Sequence, residues 1–145
     1  MKVKDVMHTG LTWVSPDAKL ADVARKMRDE DVGSIPVGKN DPLVGMVSLM
    51  GMVTDRDIAC RGLANGRDIS HLTARDVMSK PILYCRADDD VQSAVQIMET
   101  SKIRRLPVIN EDKRMVGMLS LGDVSQKVSL ALAGEVIQAV CGHHP

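Results

Sequence analysis

The sequence predicts a mixed α/β fold, built from two pseudo-symmetric β-α-β-β-α repeats that pack as one body. Two observations support this prediction. One order of short motifs occurs twice, and Asp5-Val6-Met7 returns 71 residues later (76 − 5) as Asp76-Val77-Met78. In each copy, an apolar run with the period of a helix is followed by short extended runs. Since neither copy could bury both faces of so small a sheet, we expect the two to share a core.

Each copy contains one amphipathic helix in this prediction, because apolar residues recur at i, i+3, i+4 and i+7. The two stripes are Leu20, Val23, Ala24 and Met27, and Val91, Ala94, Val95 and Met98. Asp17 and Asp88 stand just ahead of the stripes, where a carboxylate can accept from the first N–H groups of a helix. We therefore expect these two residues to be the N-caps.

A short extended run with a central proline follows each helix, namely Ile35-Pro36-Val37 and Leu106-Pro107-Val108. Proline suits the start or the edge of a strand. Polar turns over residues 39–42 and 110–113 come next. They allow the following apolar run to pair back as a hairpin.

The last strand of each copy leads into a helix through a hydroxyl residue that is followed three positions later by an acid. These pairs are Thr54 with Asp57, and Ser120 with Asp123. One interpretation is a capping box, in which each side chain accepts from the other residue's backbone. The other is a ligand site, in which the hydroxyl and the acid bond a ribose and the free N–H groups of the first helical turn bind a phosphate. The spacing alone leaves both open.

The first copy has six extra residues before this helix. Gly45-Met46-Val47 also matches Gly117-Met118-Leu119, but only a match from Gly51 gives both copies an acid that enters a helix. A straight strand would become about 20 Å longer, more than its short neighbours need. We therefore expect residues 51–54 to form the strand, and residues 45–50 to be an irregular or bulged segment.

Glycines predict where the closing helices end. The helix from about Asp55 should stop near Gly62 or Gly66, and the helical region from Gly122 towards Cys141 should break near Gly134. The predicted domains are a first repeat over residues 1–66, a linker over 67–72, a second repeat over 73–128, and a C-terminal helical extension and tail over 129–145.

The composition argues against several classes of function. Nineteen basic residues balance nineteen acidic ones, so we expect no general attraction to nucleic acid or to an anionic membrane. Trp13 and Tyr84 are the aromatic residues of the sequence, too few for a surface that stacks bases. The N-terminus shows no apolar run typical of a signal peptide or a membrane span, and we expect a cytoplasmic protein.

The cysteines and histidines form no catalytic or metal-binding pattern. Cys60, Cys85 and Cys141 are odd in number and widely spaced, which argues against a disulfide framework or a zinc site and favours buried, reduced thiols. No spacing joins them to His71 or to the two terminal histidines as a nucleophile and base. We expect no catalytic residue and no metal site.

The doubled order of Asp-Val-Met, amphipathic helix, Ile/Leu-Pro-Val and Gly-Met-Val/Leu-Thr/Ser-x-x-Asp resembles a tandem pair of CBS domains, the Bateman module named after cystathionine β-synthase. The resemblance covers residues 2–128. It implies two CBS repeats packed as one CBS pair, with clefts between the repeats for adenosine compounds such as AMP, ADP, ATP or S-adenosylmethionine. It also implies dimers in the form of a flat disc.

The resemblance implies roles for individual residues. Asp57 and Asp123 would hold ribose hydroxyls, while Thr54 and Ser120 would bond ribose or phosphate oxygens. The base would lie between apolar core residues, which are Val14, Ile35 and Val37 in one cleft and Ile103, Leu106 and Val108 in the other.

Phosphate binding would distinguish the two clefts. By resemblance, Arg104 and Arg105 would face the cleft of Thr54 and Asp57, which also has Arg56 at its helix start. The opposite cleft has the small residues Gly33, Ser34 and Gly122 at the matching positions. Arginine forks suit phosphate oxygens, so an anionic nucleotide is expected over S-adenosylmethionine, and one cleft should bind more tightly.

The resemblance implies a stand-alone sensor that binds AMP, ADP or ATP as a regulatory ligand, requires no cofactor, and signals to a protein partner that the sequence does not identify. The alternatives are a structural dimerisation module without a ligand and a binder of S-adenosylmethionine. We do not expect an enzyme, because enzymes of this family owe their chemistry to a separate catalytic domain.

The apolar segments 128–133 and 136–140 provide more apolar surface than the core of one small body needs, so a homodimer is expected.

Overall fold

The structure is a computed structural model, and it describes residues 1–10, 12–41, 46–79, 83–128 and 130–141. Within these residues the helices are α1 (Leu20–Glu30), α2 (Asp55–Asp57, continued by a π-helix over Ile58–Leu63), α3 (Ala74–Val77), α4 (Val91–Ser101), α5 (Leu121–Lys127) and α6 (Leu130–Cys141). The strands are β1 (Ser34–Asp41), β2 (Met46–Thr54), β3 (Cys85–Arg86), β4 (Arg105–Ile109) and β5 (Met115–Ser120). Short 3₁₀ turns occupy Val3–Asp5 and Ile69–His71. The predicted mixture of helices and strands is confirmed.

The chain divides into two compact units. The first unit is Thr12–Ile82, and the second unit combines Met1–Leu11 with Leu83–Pro145. The N-terminal segment is tied to the second unit because the Val3 N–H donates to the carbonyl of Asp89 at 2.9 Å. These units do not coincide with the sequence repeats, since residues 1–11 pack with the second half. The boundaries at 66, 72 and 128 therefore remain a prediction about the sequence repeat.

Both units follow the predicted order of strand, helix, strand, strand and helix. In the second unit, β3 pairs in parallel with β4, and β4 pairs antiparallel with β5. In the first unit, β1 pairs antiparallel with β2, and the leading strand is reduced to one parallel bridge between Val14 and Val37.

The two amphipathic helices are confirmed with one exception. The buried stripe residues are Leu20, Val23, Met27, Val91, Ala94, Val95 and Met98. Ala24 is exposed, so its assignment to the stripe was wrong. The matching position of α4 holds Val95, which is 3% exposed, so the helical period alone does not distinguish the two positions.

The assignment of Asp17 and Asp88 as N-caps was wrong. The caps are Lys19 and Asp90, and neither side chain bonds the helix. Backbone carbonyls take this role, because the Leu20 N–H donates to Leu72 at 2.9 Å and the Val91 N–H donates to Met1 at 3.0 Å.

The two acids form ion pairs instead. Asp17 pairs with Arg75, and Asp88 accepts from Lys4 Nζ at 3.0 Å. The hydrogen bond from Lys4 lowers the pKa of the exposed Asp88 carboxyl.

The six extra residues lengthen a regular hairpin. Strand β2 is continuous from Met46 to Thr54, and β1 is long enough to pair with it as far as Asp41. One irregularity interrupts the ladder, because Val37 faces Gly51 while Gly38 faces Leu49. The expectation of a displaced, irregular segment was wrong for residues 46–50, which belong to β2, and the expected bulge does occur there, beside Gly51. Residue 45 lies outside the described residues. The added length is accommodated because the partner strand is longer as well, so the new backbone groups are hydrogen-bonded.

The predicted turns differ in outcome. Residues 39–41 belong to β1, so the expectation of a turn there was wrong, and residue 42 lies outside the described residues. The turn over 110–113 is confirmed, since Asn110 Oδ1 accepts from the N–H of Asp112 and of Arg114, both at 3.0 Å. Lys113 takes the left-handed conformation with φ 62°.

The helix ends were predicted in part. The π-helix after α2 ends at Leu63, and Gly66 follows with φ +69°, as expected of a glycine past a helix end. The break in the C-terminal helical region lies between α5 and α6, and Gly134 is inside α6, so the expected break at Gly134 was wrong. Helix α6 tolerates this glycine because it packs against α4 and α5, with Val140 only 4% exposed.

A close contact between a glycine and a methionine holds one strand of each unit. A Cβ atom on Gly117 would clash with Met7 Sδ and lie 2.9 Å from the His8 carbonyl oxygen. A Cβ atom on Gly51 would lie 2.9 Å from Met78 Sδ. Met7 and Met78 are the methionines of the repeated Asp-Val-Met motif, so this motif and the strand glycine fit together in both units.

We expect Gly117→Ala to lower the free energy of unfolding by about 1–3 kcal/mol, because backbone as well as side-chain atoms must move. Urea denaturation measures this change. Gly134→Ala is the control, since no neighbouring atom of the described residues lies within 4 Å of its Cβ position and alanine in a helix interior should stabilise by about 0.5–1 kcal/mol. A Gly117→Ala protein as stable as the wild type would contradict the role of the close contact.

The three cysteines differ in exposure. Cys85 is buried, and burial raises the pKa of its thiol to about 12. Cys60 and Cys141 are exposed, so the expectation of a buried thiol was wrong for both. Cys60 follows the first turn of α2 and Cys141 ends α6, where the helix faces solvent.

At pH 8, we expect Ellman's reagent to modify Cys60 and Cys141 rapidly, and Cys85 only as fast as the second unit opens, since a buried neutral thiol is a poor nucleophile. The absorbance time course measures this difference, and Cys60→Ser and Cys141→Ser variants assign the two fast phases. Three equal rates would show that Cys85 is accessible.

Candidate functional site

The junction between β2 and α2 places Thr54 and Asp57 in a capping box. The Asp57 N–H donates to Thr54 Oγ1 at 3.0 Å, and the Thr54 N–H donates to Asp57 Oδ2 at 2.9 Å. Asp57 is buried, with 9% exposed. Its charge is tolerated because Ser79 Oγ also donates to Oδ2, at 3.3 Å, and Arg61 Nε lies 3.8 Å from Oδ1.

The junction between β5 and α5 repeats this geometry. The Asp123 N–H donates to Ser120 Oγ at 3.1 Å, and the Ser120 N–H donates to Asp123 Oδ2 at 2.9 Å. The match of Gly51 with Gly117 is therefore confirmed, since Thr54 and not Ser48 begins the turn into the helix. The capping interpretation is confirmed in both units.

The capping box restricts what each carboxylate can offer to a ligand. Oδ2 of Asp57 and of Asp123 is used by the fold, and Oδ1 is the oxygen outside the box. An ionised carboxylate oxygen accepts hydrogen bonds only, so Oδ1 suits a hydroxyl or another donor. Each unit thus presents one fixed acceptor, with the Asp57 side chain 12% and the Asp123 side chain 15% exposed.

The expectation that the first helical turn of α2 offers free N–H groups to a phosphate was wrong. The Asp55 N–H donates to the Gly33 carbonyl at 2.9 Å, and the Arg56 N–H donates to Asp55 Oδ1 at 2.8 Å. The Asp57 N–H is in the capping box. Any phosphate beside Asp57 must therefore be bound by side chains.

Two residues that the sequence reasoning missed contact the carboxylates. Ser79 donates to Asp57 as above, and His8 Nδ1 lies 2.8 Å from Asp123 Oδ2. Ser79 and His8 occupy the same place in the repeat, directly after Asp-Val-Met and 71 positions apart (79 − 8). The repeat marked this position, but a serine and a histidine share no pattern that would have indicated a common role.

The cation next to Asp57 differs from the sequence-based choice. Arg56 is exposed at the start of α2, whereas Arg61 contacts the Asp57 carboxylate and lies 3.4 Å from the carbonyl of Met78. The i, i+4 spacing of an acid and a base on a helix was the signal that could have indicated Arg61.

The arginines before β4 have separate surroundings. Arg104 is exposed, and its Nη2 lies 3.5 Å from Cys141 Sγ, while Lys102 Nζ donates to the Ala139 carbonyl at 2.7 Å. Arg105 is half-buried, and its Cα lies opposite Ser120 in the β4–β5 ladder. Within the second unit, Arg105 is therefore on the same face of the sheet as Ser120. The expectation that Arg104 and Arg105 face Thr54 and Asp57 remains a prediction.

The matching position in the first unit holds Ser34, whose Cα lies opposite Thr54. Its hydroxyl oxygen is buried, and no hydrogen-bond partner for it exists among the described residues. The same place beside the two capping boxes thus holds a neutral hydroxyl in one unit and a guanidinium in the other.

The apolar residues named for the base are core residues. Ile35, Val37 and Val108 are all 0% exposed, and each belongs to the hydrophobic core of its own unit. Contact of these side chains with a base remains a prediction, and it would require the core to open locally.

No group of three or more His, Cys, Asp or Glu side chains that could hold a metal ion occurs in the described part of the chain. The exposed Cys60 has no histidine partner there, and His71 Nε2 lies 3.4 Å from Asp68 Oδ2. Residues 142–145, with the two terminal histidines, lie outside the described residues. Among the helices that the structure describes, none has the length and apolar character to cross a membrane.

Comparison with known proteins identifies relatives of nearly the same length. Hypoxic response protein 1 of Mycobacterium tuberculosis is 33% identical over 138 residues, which are 95% of this chain and 92% of that protein. A crystal structure of Hypoxic Response Protein I with two coordinated zinc ions is 34% identical, has a TM-score of 0.78, and matches 89% of this chain and 100% of that one.

Two structures with bound ligands share the fold. A crystal structure of CBSX2 in complex with AMP has a TM-score of 0.72 at 24% identity, over 86% of this chain and 93% of that chain. The CBS domain pair of protein MJ0100 in complex with 5-methylthioadenosine and S-adenosyl-L-methionine has a TM-score of 0.74 at 21% identity, over 87% of this chain and 98% of that chain.

The model of the CBS domain matches this sequence twice, over residues 3–61 and residues 74–129. The two matches contain the two capping boxes, one in each. With the doubled β-α-β-β-α order of the structure, they show that this chain belongs to the CBS-domain family, as a tandem pair of CBS repeats.

Proposed function

We propose that this chain is a cytoplasmic regulatory module, not an enzyme, that binds an adenine nucleotide beside Asp57 and Asp123. A bound nucleotide would change its contacts with a partner protein. The observation that best supports this proposal is the pair of fixed carboxylates, whose Oδ2 atoms are held by the Thr54 and Ser120 N–H groups. A carboxylate that cannot rotate offers its second oxygen to a hydroxyl without further loss of side-chain entropy.

The solved relatives support the class of ligand. AMP, 5-methylthioadenosine and S-adenosyl-L-methionine are the compounds in the structures of CBSX2 and of the MJ0100 domain pair. These compounds share an adenosine, and its ribose carries the hydroxyls that suit an ionised carboxylate. The hydroxyls of Thr54 and Ser120 accept from the backbone and keep a donor for a ligand oxygen.

The charges favour a nucleotide over S-adenosylmethionine, which is itself a cation. Arg61 lies beside Asp57, and Arg56 is exposed on the same helix start. Arg104 and Arg105 add two guanidinium groups in the second unit. Guanidinium forks match phosphate oxygens, so AMP, ADP or ATP fits these side chains better than a sulfonium compound.

We expect Asp57→Ala to weaken AMP binding more than Asp123→Ala does, because Arg61 contacts Asp57 and, by the resemblance, Arg104 and Arg105 also face this cleft and favour the phosphate. Loss of a hydrogen bond to a charged acceptor costs about 1.5–3 kcal/mol, or roughly 10- to 150-fold in Kd. Isothermal titration calorimetry with AMP, ADP, ATP and S-adenosylmethionine measures the affinities. Two equal sites, or no binding of any adenine nucleotide, would contradict the proposal.

Asp76→Ala is the matched control for the capping role. Asp76 forms the same type of box with Thr73 at the start of α3, where the Thr73 N–H donates to Asp76 Oδ2 at 2.8 Å. This bond lowers the pKa of the exposed Asp76 carboxyl. Its loss should reduce stability by about 1 kcal/mol and leave the AMP affinity within twofold. An equal loss of AMP affinity in Asp76→Ala and Asp57→Ala would mean that general destabilisation explains both.

We also propose a homodimer. Ile137 on α6 is 47% exposed, while Val140 on the same helix is buried, so one large apolar side chain of α6 is left uncovered by the chain itself. Light scattering at micromolar concentration should give about twice the 15.8 kDa of one chain. A mass of one chain would refute the dimer, and a dimer without nucleotide binding would favour a purely structural dimerisation module.

A further inference from the structure

His8 and Ser79 hold the same backbone position in the two units. The His8 N–H donates to the Met118 carbonyl at 3.0 Å, and the Ser79 N–H donates to the Met52 carbonyl at 2.8 Å. Both residues therefore lie beside the strand that ends in a capping box. Their side chains reach the same carboxylate oxygen, Oδ2, of Asp123 and of Asp57.

The two side chains differ in chemistry. A serine hydroxyl stays neutral at all relevant pH values, whereas an imidazole gains a charge between about pH 5 and 8. Because Asp123 Oδ2 can only accept, His8 Nδ1 must be its donor, and Nε2 is the nitrogen that can gain or lose a proton. The His8 side chain is 44% exposed, so this exchange needs no opening of the fold.

We propose that His8 makes the site at Asp123 proton-linked, so that an anionic ligand binds there more tightly when the imidazole is protonated, while the site at Asp57 lacks this dependence. This proposal rests on the proposed function for its nucleotide. It extends that function by naming the residue that sets the difference between the two sites.

The charges on the elements around His8 support its role as the cation that changes with pH. On β4, Arg105 has its Cα opposite Ser120, and its guanidinium stays charged at all relevant pH values. On α5, Asp123 contacts the imidazole, and Lys127 Nζ donates to the Val6 carbonyl at 3.2 Å. On the N-terminal 3₁₀ turn, Lys4 pairs with Asp88, and Asp5 lies in the capping box of that turn. Strand β5 has no ionisable side chain. A protonated His8 thus neutralises the carboxylate that would otherwise repel a phosphate.

The test uses variants in which one of the two sites is removed, so that AMP binding at the other site is measured alone. In an Asp57→Ala background, calorimetry with AMP at pH 6 and pH 8 should show affinity about fivefold lower at pH 8, the effect of losing one nearby charge. His8→Asn keeps a donor for Asp123 but cannot titrate, so it should lose affinity relative to its parent at pH 6 and match its parent at pH 8. In an Asp123→Ala background, Ser79→His should introduce a dependence that is absent with Ser79. Because the phosphate of AMP also titrates near pH 6, each variant is compared with its parent at the same pH.

Several results would overturn the proposal. A pH effect of the same size in His8→Asn and in its parent would assign it to another group or to the AMP phosphate. A parent that binds more weakly than His8→Asn at pH 6, and equally at pH 8, would show that protonated His8 blocks the site. Inorganic pyrophosphate is a second probe, followed through the imidazole resonances of His8. If pyrophosphate binds with the expected pH dependence and AMP does not bind, the proposed function fails and this proposal stands. If AMP binds in the Asp57→Ala background with equal affinity at both pH values, only this proposal fails. Perturbation of His8 by neither compound would reject both.

Discussion

The capping-box carboxylate at the end of β2 and of β5 is the interaction on which both units depend. Asp57 and Asp123 each use Oδ2 to hold the backbone at the point where a strand becomes a helix. The same bond fixes the direction of Oδ1, and most of each side chain is buried. The fold uses Oδ2, and Oδ1 is the oxygen that the proposed function assigns to a ligand, so one carboxylate can serve as a helix cap and as the proposed binding group.

The repeated Asp-Val-Met motif supports these junctions from the other half of the sequence. Met7 packs on Gly117, and Met78 packs on Gly51. Each compact unit thus contains a strand pair and the Asp-Val-Met segment of the opposite sequence repeat. Only glycine fits at these two places, because the methionine and the backbone next to it occupy the space that a side chain would need. As a consequence, the residue after the motif contacts the capping carboxylate: His8 contacts Asp123, and Ser79 contacts Asp57.

The two units share backbone geometry and differ in charge. Ser34 and Arg105 lie opposite Thr54 and Ser120 on the neighbouring strands. Arg61 stands beside Asp57, and His8 contacts Asp123. Backbone symmetry follows from hydrogen bonds that any residue can make, so side chains are free to diverge. We therefore expect the two proposed sites to differ in affinity.

The sequence by itself determined the doubled order of elements, the two buried helix stripes and the two capping boxes, because these depend on residues within a few positions of one another. Thr54 and Asp57, or Ser120 and Asp123, are three apart. This spacing identified the two pairs, but the hydrogen bonds of the structure were needed to confirm the capping interpretation. Only the tertiary structure decided which residues surround the carboxylates. His8 and Asp123 are 115 positions apart, and no local pattern records their contact. The N-caps of α1 and α4 were missed for the same reason, since carbonyls of distant segments replace the acids. The long hairpin was missed because the length of β2 is set by the length of its partner β1, a pairing that neither strand encodes alone.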